Sequence, residues 1–337
     1  MHEAHGLLDQ PAHAAAAAIA RQRLERALEK TAPLLVVVDD DVAATIGNED
    51  VHDFRVALRR VRSWLRASGT LLGDEVPRDA RTALRRLSRR AGAARDAQVQ
   101  WKWLTAPSVR MTAPATRAAH WLAAERASAY AKQRSRLQRR VAERWPPLAA
   151  TLAAALAADR SPDQAAADGT LGRHVAPVLS RHLELARRAL DRVEHPTQVG
   201  AIHRARIRVK RLRYLLEALE QMTPAGGRAL KHLRLLQDAL GELHDAQEMA
   251  ALVAPLLAPR GRPRRGAVRR PPLRDLRALR AALRRRELAA FRRSLDLAGT
   301  PAAERAWRYL SALAMLLNAP EAPGAPTPRP AHARPDR

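Results

Sequence analysis

A twelve-residue stretch occurs twice in this chain. Val51-His52-Asp53-Phe54-Arg55-Val56-Ala57-Leu58-Arg59-Arg60-Val61-Arg62 returns, 151 residues downstream, as Ile202-His203-Arg204-Ala205-Arg206-Ile207-Arg208-Val209-Lys210-Arg211-Leu212-Arg213. Apolar, His, Arg, apolar, apolar, cation, cation, apolar and Arg keep one order. A second match follows each copy. Gly92-Ala93-Ala94-Arg95-Asp96-Ala97-Gln98 pairs with Gly241-Glu242-Leu243-His244-Asp245-Ala246-Gln247 at an offset of 149. Two ordered matches at nearly one offset describe a chain made of two related halves. The junction is expected near residues 160–172, where Pro162, Gly169 and Gly172 fall in a polar run.

Both halves read as helix. Ala, Leu, Arg and Glu dominate, all of them helix formers, and aromatic residues make up only 3% of the chain. The one strand-like run, Leu34 to Val38, is too short to build a sheet and reads as a helix end or a packed loop. Breaks are expected at Pro33, Gly47-Asn48, Gly69 to Pro77, Pro107, Pro114 and Pro146-Pro147 in the first half. Later breaks are expected at Pro196, Pro224 to Gly227, Pro259 to Pro272 and Pro301. The Pro- and Ala-rich end, residues 319–337, reads as a disordered tail.

The repeated stretch has a definite face structure. On a helix at about 100° per residue, Val51, Phe54, Leu58, Val61 and Leu65 form one apolar stripe. One position along, His52, Arg55, Arg59, Arg62 and Arg66 form a second stripe beside it. The second copy gives Ile202, Ala205, Val209, Leu212 and Leu216, flanked by His203, Arg206, Lys210, Arg213 and Glu217. A solvated face would lie opposite the core and mix its signs. These stripes hug the core edge and are nearly single-signed. Like charges three and four residues apart cost a few tenths of a kcal/mol per pair, so an anion is expected to offset them. The first stripe runs ~21 Å, longer than a small metabolite, and Arg is suited to phosphate because its planar fork binds two oxygens at once. The histidines can donate a hydrogen bond when neutral or carry charge below pH ~6.5. The other reading of the stripes is a surface ion-pair network. Asp96 and Asp245 either orient a stripe arginine or cap a helix end.

The overall charge agrees with an anionic partner. Lys and Arg total 60 against 34 Asp and Glu, a formal charge of +26, and 55 of the 60 are Arg. DNA, RNA, an anionic membrane or a soluble polyphosphate would all answer such a charge, while a genome rich in Ala and Arg codons would scatter Arg without arranging it. The Pro259 to Pro272 segment, with six Arg and no acid, reads as a basic arm or a solvated linker.

Several chemistries are excluded or unsupported. With no cysteine there is no disulfide, Cys-ligated zinc or thiol nucleophile. No phosphate-binding Gly-x-x-x-x-Gly-Lys-Ser/Thr loop occurs. The His spacing offers no metal site, and no cofactor is expected. No stretch reaches the ~20 apolar residues of a membrane span, and the first residues lack a secretory pattern, so the expected compartment is the cytoplasm. Trp101 and Trp103, flanking Lys102, read as core or helix-edge packing rather than as a base-stacking platform.

The paired motifs resemble the CHAD domain, the conserved histidine α-helical domain. The resemblance rests on His52-x-x-Arg55 with Arg59-Arg60-x-Arg62, and on His203-x-x-Arg206 with Lys210-Arg211-x-Arg213-Tyr214. The elements at 92–96 and 241–245 support it, and it covers roughly residues 11–318. It implies an all-α fold of two pseudo-symmetric, four-helix-bundle-like halves, about 11–160 and 171–318, around a basic central surface, with residues 1–10 as an N-terminal extension. It implies binding of inorganic polyphosphate, association with polyphosphate granules, and no catalysis. The expected contacts are His52, Arg55, Arg59, Arg60, Arg62, Arg66, His203, Arg206, Lys210, Arg211 and Arg213, supported by Arg85, Arg95, Asp96, Arg234, His244 and Asp245. Some members carry a CYTH triphosphate-tunnel domain; this chain has no room for one, so triphosphatase activity is not expected. Sequence-independent nucleic-acid binding, or an accessory role in phosphate metabolism, is the alternative. The sequence does not set the oligomeric state.

Overall fold

Both apolar stripes become buried helix faces: Val51, Phe54, Leu58, Val61 and Leu65 are buried, as are Ile202, Ala205, Val209, Leu212 and Leu216. They lie on α3 (Asp50–Ala67) and α8 (Val199–Leu219) of a computed structural model that describes residues 6–35, 49–106, 111–158, 169–219, 226–258 and 270–319. The first half also holds α1 (Ala12–Glu29), the short α2 (Thr31–Leu35) and α4 (Gly69–Leu72), α5 (Arg78–Thr105) and α6 (Ala113–Leu156). The second holds α7 (Leu171–Asp191), α9 (Gly226–Val253), a 3₁₀ turn (Ala254–Leu257), α10 (Leu273–Ala298) and α11 (Pro301–Asn318). The fold is all-α, and among the described residues there is no strand, only an isolated bridge between Pro11 and Thr170.

The motif-bearing helices hold equivalent places in the chain order. α3 is followed by a 28-residue α5, and α8 by a 28-residue α9. α5 packs along α6, and α9 along α10. The halves meet where α3 touches α8 and where α6 lies against α10. One apolar cluster runs through α1, α3, α5, α6, α7, α8, α9 and α11. A second joins Trp103, Leu122 and Ala118 of the first half to Met249, Leu276 and Leu283 of the second. The buried Asp275 carboxylate fastens that seam by accepting two 3.0 Å bonds from the Arg117 guanidinium.

The proline punctuation behaves unevenly. Pro114 and Pro301 sit in the first turns of α6 and α11, where a missing N–H costs nothing. Pro33 lies inside the short α2, and Leu34 and Leu35 close that helix; residues 36–38, the rest of the strand-like run, lie outside the described residues. Pro146-Pro147 does not break the chain: α6 runs through it as a continuous 44-residue helix. Val141, Trp145, Leu148 and Leu152 are buried on both sides of the pair, so packing outweighs the lost backbone bonds. Gly172, expected at the junction, is helical; a Cβ there would come 3.3 Å from the Leu8 carbonyl oxygen. Gly169 has φ +65°, a conformation that glycine adopts without strain. Its carbonyl accepts the Ala12 N–H at 2.8 Å, and the Leu8 carbonyl accepts the Gly172 N–H at 2.9 Å. Residues 6–10 are thereby tied to the second half. Gly47-Asn48, Pro107, Pro224, most of 161–172 and of 259–272, and the tail from 320 lie outside the described residues. No helix described is long and apolar enough to cross a membrane.

Candidate functional site

Where α3 meets α8, the two polar stripes face one another. The Arg59 guanidinium lies 5.3 Å from the centre of the Tyr214 ring, and Arg213 lies 4.4 Å from the same ring. Tyr214 is buried, so each cation rests on an aromatic wall; the Arg213 guanidinium is also engaged, donating from Nε to Gln237 at 2.6 Å and from Nη1 to Glu217. Around this crossing opens a cleft of about 730 Å³. The first copy of the motif contributes His52, Arg55, Arg59 and Arg60 to its lining; the second contributes Arg206 and Arg213. Arg95 and Asp96 reach it from α5, and Arg234, His244 and Asp245 from α9. Nine Arg or Lys side chains line the cleft against four carboxylates.

The carboxylates act as struts. Asp96 and Asp245 lie well inside α5 and α9 rather than at their ends, so the capping alternative falls. Asp96 stands 4.0 Å from Arg55. Burial raises the Asp245 pKa against the opposing pull of Arg206. Glu217, the one acid in the second stripe, is almost enclosed and draws together Arg213, Arg60 at 3.5 Å and Arg234 at 3.9 Å. Glu49 receives Arg95 at 3.1 Å and also Lys102. Burial alone would raise the Glu49 pKa, but Lys102 and Arg95 pull it below its ordinary value.

Crowding and burial set the protonation of the site. Burial, opposed by Tyr214 and assisted by Arg55 and Arg213, brings Arg59 down to about 10, still charged at neutral pH. Lys210 is brought down to about 6 by burial and by Arg59, Arg206, Arg55 and Arg62. Burial and Arg95 lower the His52 pKa, and burial and Arg206 push His244 down to about 4. Both imidazoles are neutral at pH 7, so His52 fills the neutral one of the two roles open to the stripe histidines. The His52 Nδ1 is buried without a hydrogen-bond partner in this structure.

The remaining expected residues sit elsewhere. Arg62, Arg66 and Arg85 line a second basin of about 450 Å³ with Arg78 and Arg81, and no carboxylate lines it. Arg211 lines neither cavity, though its charge, after burial and Arg66, helps to lower the Arg62 pKa. Lys210 lines neither cavity, although the charges of Arg59 and Arg62 act on it after burial. His203 is exposed at the second stripe's start, its ring 5.6 Å from that of His244, and does not line the cleft. The first stripe is therefore not one uniform wall: its N-terminal part faces the cleft and its C-terminal part the basin. Lys102 and Arg286 line the cleft without belonging to either motif. Lys102 lies between Trp101 and Trp103 in the sequence, but Arg286 carries no local signal. Trp103 is buried in the second core cluster, as a packing role required, with Arg286 stacked 5.2 Å above it. Among the described residues no three His, Asp or Glu side chains gather as metal ligands.

Comparison with known proteins places this geometry in a family. The family model for the CHAD domain matches residues 26–254. The crystal structure of the CHAD domain from the plant Ricinus communis is similar at 20% identity and a TM-score of 0.60, over 90% of this chain and 93% of that one. The structure of PptA from Streptomyces chartreusis is similar at 20% identity and a TM-score of 0.60, over 89% of this chain and all of that one. These likenesses are of fold. No curated protein matches the sequence.

Proposed function

This chain belongs to the CHAD domain family, and on that premise we propose that it binds inorganic polyphosphate in the cleft where its two motif helices cross, without catalysing a reaction. The observation that carries the reading is the convergence there of Arg55, Arg59, Arg60, Arg206 and Arg213, drawn from sequence stretches about 150 residues apart. Two of them stand on one buried tyrosine ring. Buried or half-buried arginines of like sign repel, and a chain of phosphates relieves that repulsion while offering paired oxygens to guanidinium forks such as that of Arg59. The basin at Arg62, Arg66 and Arg85 continues the same path, so a long chain finds more contacts than a short one. Attachment to polyphosphate granules in the cytoplasm is the setting this binding suits.

Charge reversal tests the cleft. Arg59→Glu with Arg206→Glu removes two charge-assisted contacts and is expected to weaken polyphosphate binding about 100-fold or more, with the helical circular-dichroism signal retained. Binding unchanged in a folded double variant would move the site out of the cleft.

A further inference from the structure

A second cluster of arginines lies outside the cleft and the basin. Arg90 of α5 and Arg136, Arg139 and Arg140 of α6 line a concave surface of about 550 Å³ whose one carboxylate is Glu143. All four arginines are exposed. The Arg140–Glu143 contact is 3.5 Å long with both side chains more than half exposed, so it neutralises little. Some other exposed arginines pair more closely, as Arg188 does with Glu184 at 2.5 Å and Arg293 with Glu242 at 3.0 Å, while Arg187 and Glu304 stand 3.7 Å apart. On α6, Arg136, Arg139 and Arg140 repeat a like charge at spacings of three and four, which disfavours the helix unless an anion is present.

The position of this patch matters as much as its charge. Arg90 precedes Val99, a cleft-lining residue, by nine positions, a rotation of ~180° around α5. The patch therefore faces away from the cleft. We infer that Arg90, Arg136, Arg139 and Arg140 form a second polyphosphate-binding surface, and that one protein molecule bridges two polyphosphate segments, one in the cleft and one on the outer face. The inference rests on the cleft reading above and adds a function to it, cross-linking. The outer surface is open and has no buried tyrosine beneath its arginines as the cleft has, so it binds more weakly than the cleft and loses affinity more steeply with salt.

A sandwich assay tests this. Long-chain polyphosphate is fixed to a surface, the full chain is bound, and labelled polyphosphate is then offered in solution. Wild type is expected to capture the label. Arg90→Gln/Arg136→Gln/Arg139→Gln/Arg140→Gln is expected to load the surface as wild type does but to capture at least tenfold less label. A control, Arg187→Gln/Arg188→Gln/Arg292→Gln/Arg305→Gln, removes the same charge at other exposed positions and is expected to keep capture. Equal loss in the control, or undiminished capture in the patch variant, overturns the inference. So does a wild type that loads the surface but captures no label. A wild type that fails to load the surface overturns the cleft reading instead. The pair Arg139→Gln/Arg140→Gln supplies the same comparison if the fourfold variant is poorly folded.

Discussion

At the scale of single residues, the site is governed by like charges held close together. Lys210 shows it best. It faces Arg55, Arg59 and Arg62 from α3, Arg206 from its own helix and His244 from α9. Its pKa near 6 in the folded chain lies below the ordinary 10.5. Between those values the unfolded chain binds more protons, so stability of the free protein rises with pH across that window. A bound polyanion is expected to restore the proton, so affinity for it is expected to fall as pH rises through neutrality. Lys210→Met is expected to be more stable than wild type at pH 6, with the gap closing toward pH 10 by at most about 1.4 kcal/mol per pH unit. Thermal midpoints by circular dichroism at both pH values check this; a gap independent of pH would mean that Lys210 is charged in the free protein. The stripe positions were legible from spacing alone, because burial beside an apolar stripe follows from helix geometry. The struts were less so: Glu217 stood out only as an exception, and Glu49, three residues before His52, carried no pattern.

At the scale of helices, the two motif copies read as helices, which they are, but their spacing does not give the angle at which they cross. That crossing divides the first stripe. His52, Arg55 and Arg59 face the cleft, while Arg62 and Arg66 join Arg85 in the basin. The periodicity of one helix does not encode its partner's direction, so spacing read this as one continuous wall. Pro146-Pro147 was misread for a related reason: local chemistry says break, and the buried residues around the pair, contributed by tertiary packing, override it. The division has a measurable consequence. Arg62→Gln/Arg66→Gln/Arg85→Gln is expected to leave binding of short polyphosphate near wild type and to weaken long-chain binding about tenfold. A titration with chains of defined length checks it, and equal losses for short and long chains would join the basin to the cleft as a single site.

At the scale of the molecule, the two halves share their core, and neither builds the cleft alone. α1 packs on α3 and α6 as well as α7, and the Trp64 indole N–H donates to the Ala16 carbonyl at 2.9 Å. The charge of +26 draws any polyanion toward the surface, and arrangement is what can select among them. A cleft of stacked guanidinium forks without exposed aromatic platforms suits a bare phosphate chain better than bases. The most direct measurement is a titration with long-chain polyphosphate at ~0.15 M salt, near a Debye length of ~8 Å, with single-stranded RNA and duplex DNA as competitors at equal phosphate. Polyphosphate is expected to outcompete both by orders of magnitude, with the preference lost in Arg59→Glu/Arg206→Glu. Equal competition by all three would show that the charge acts generically and that the cleft is not shaped for polyphosphate.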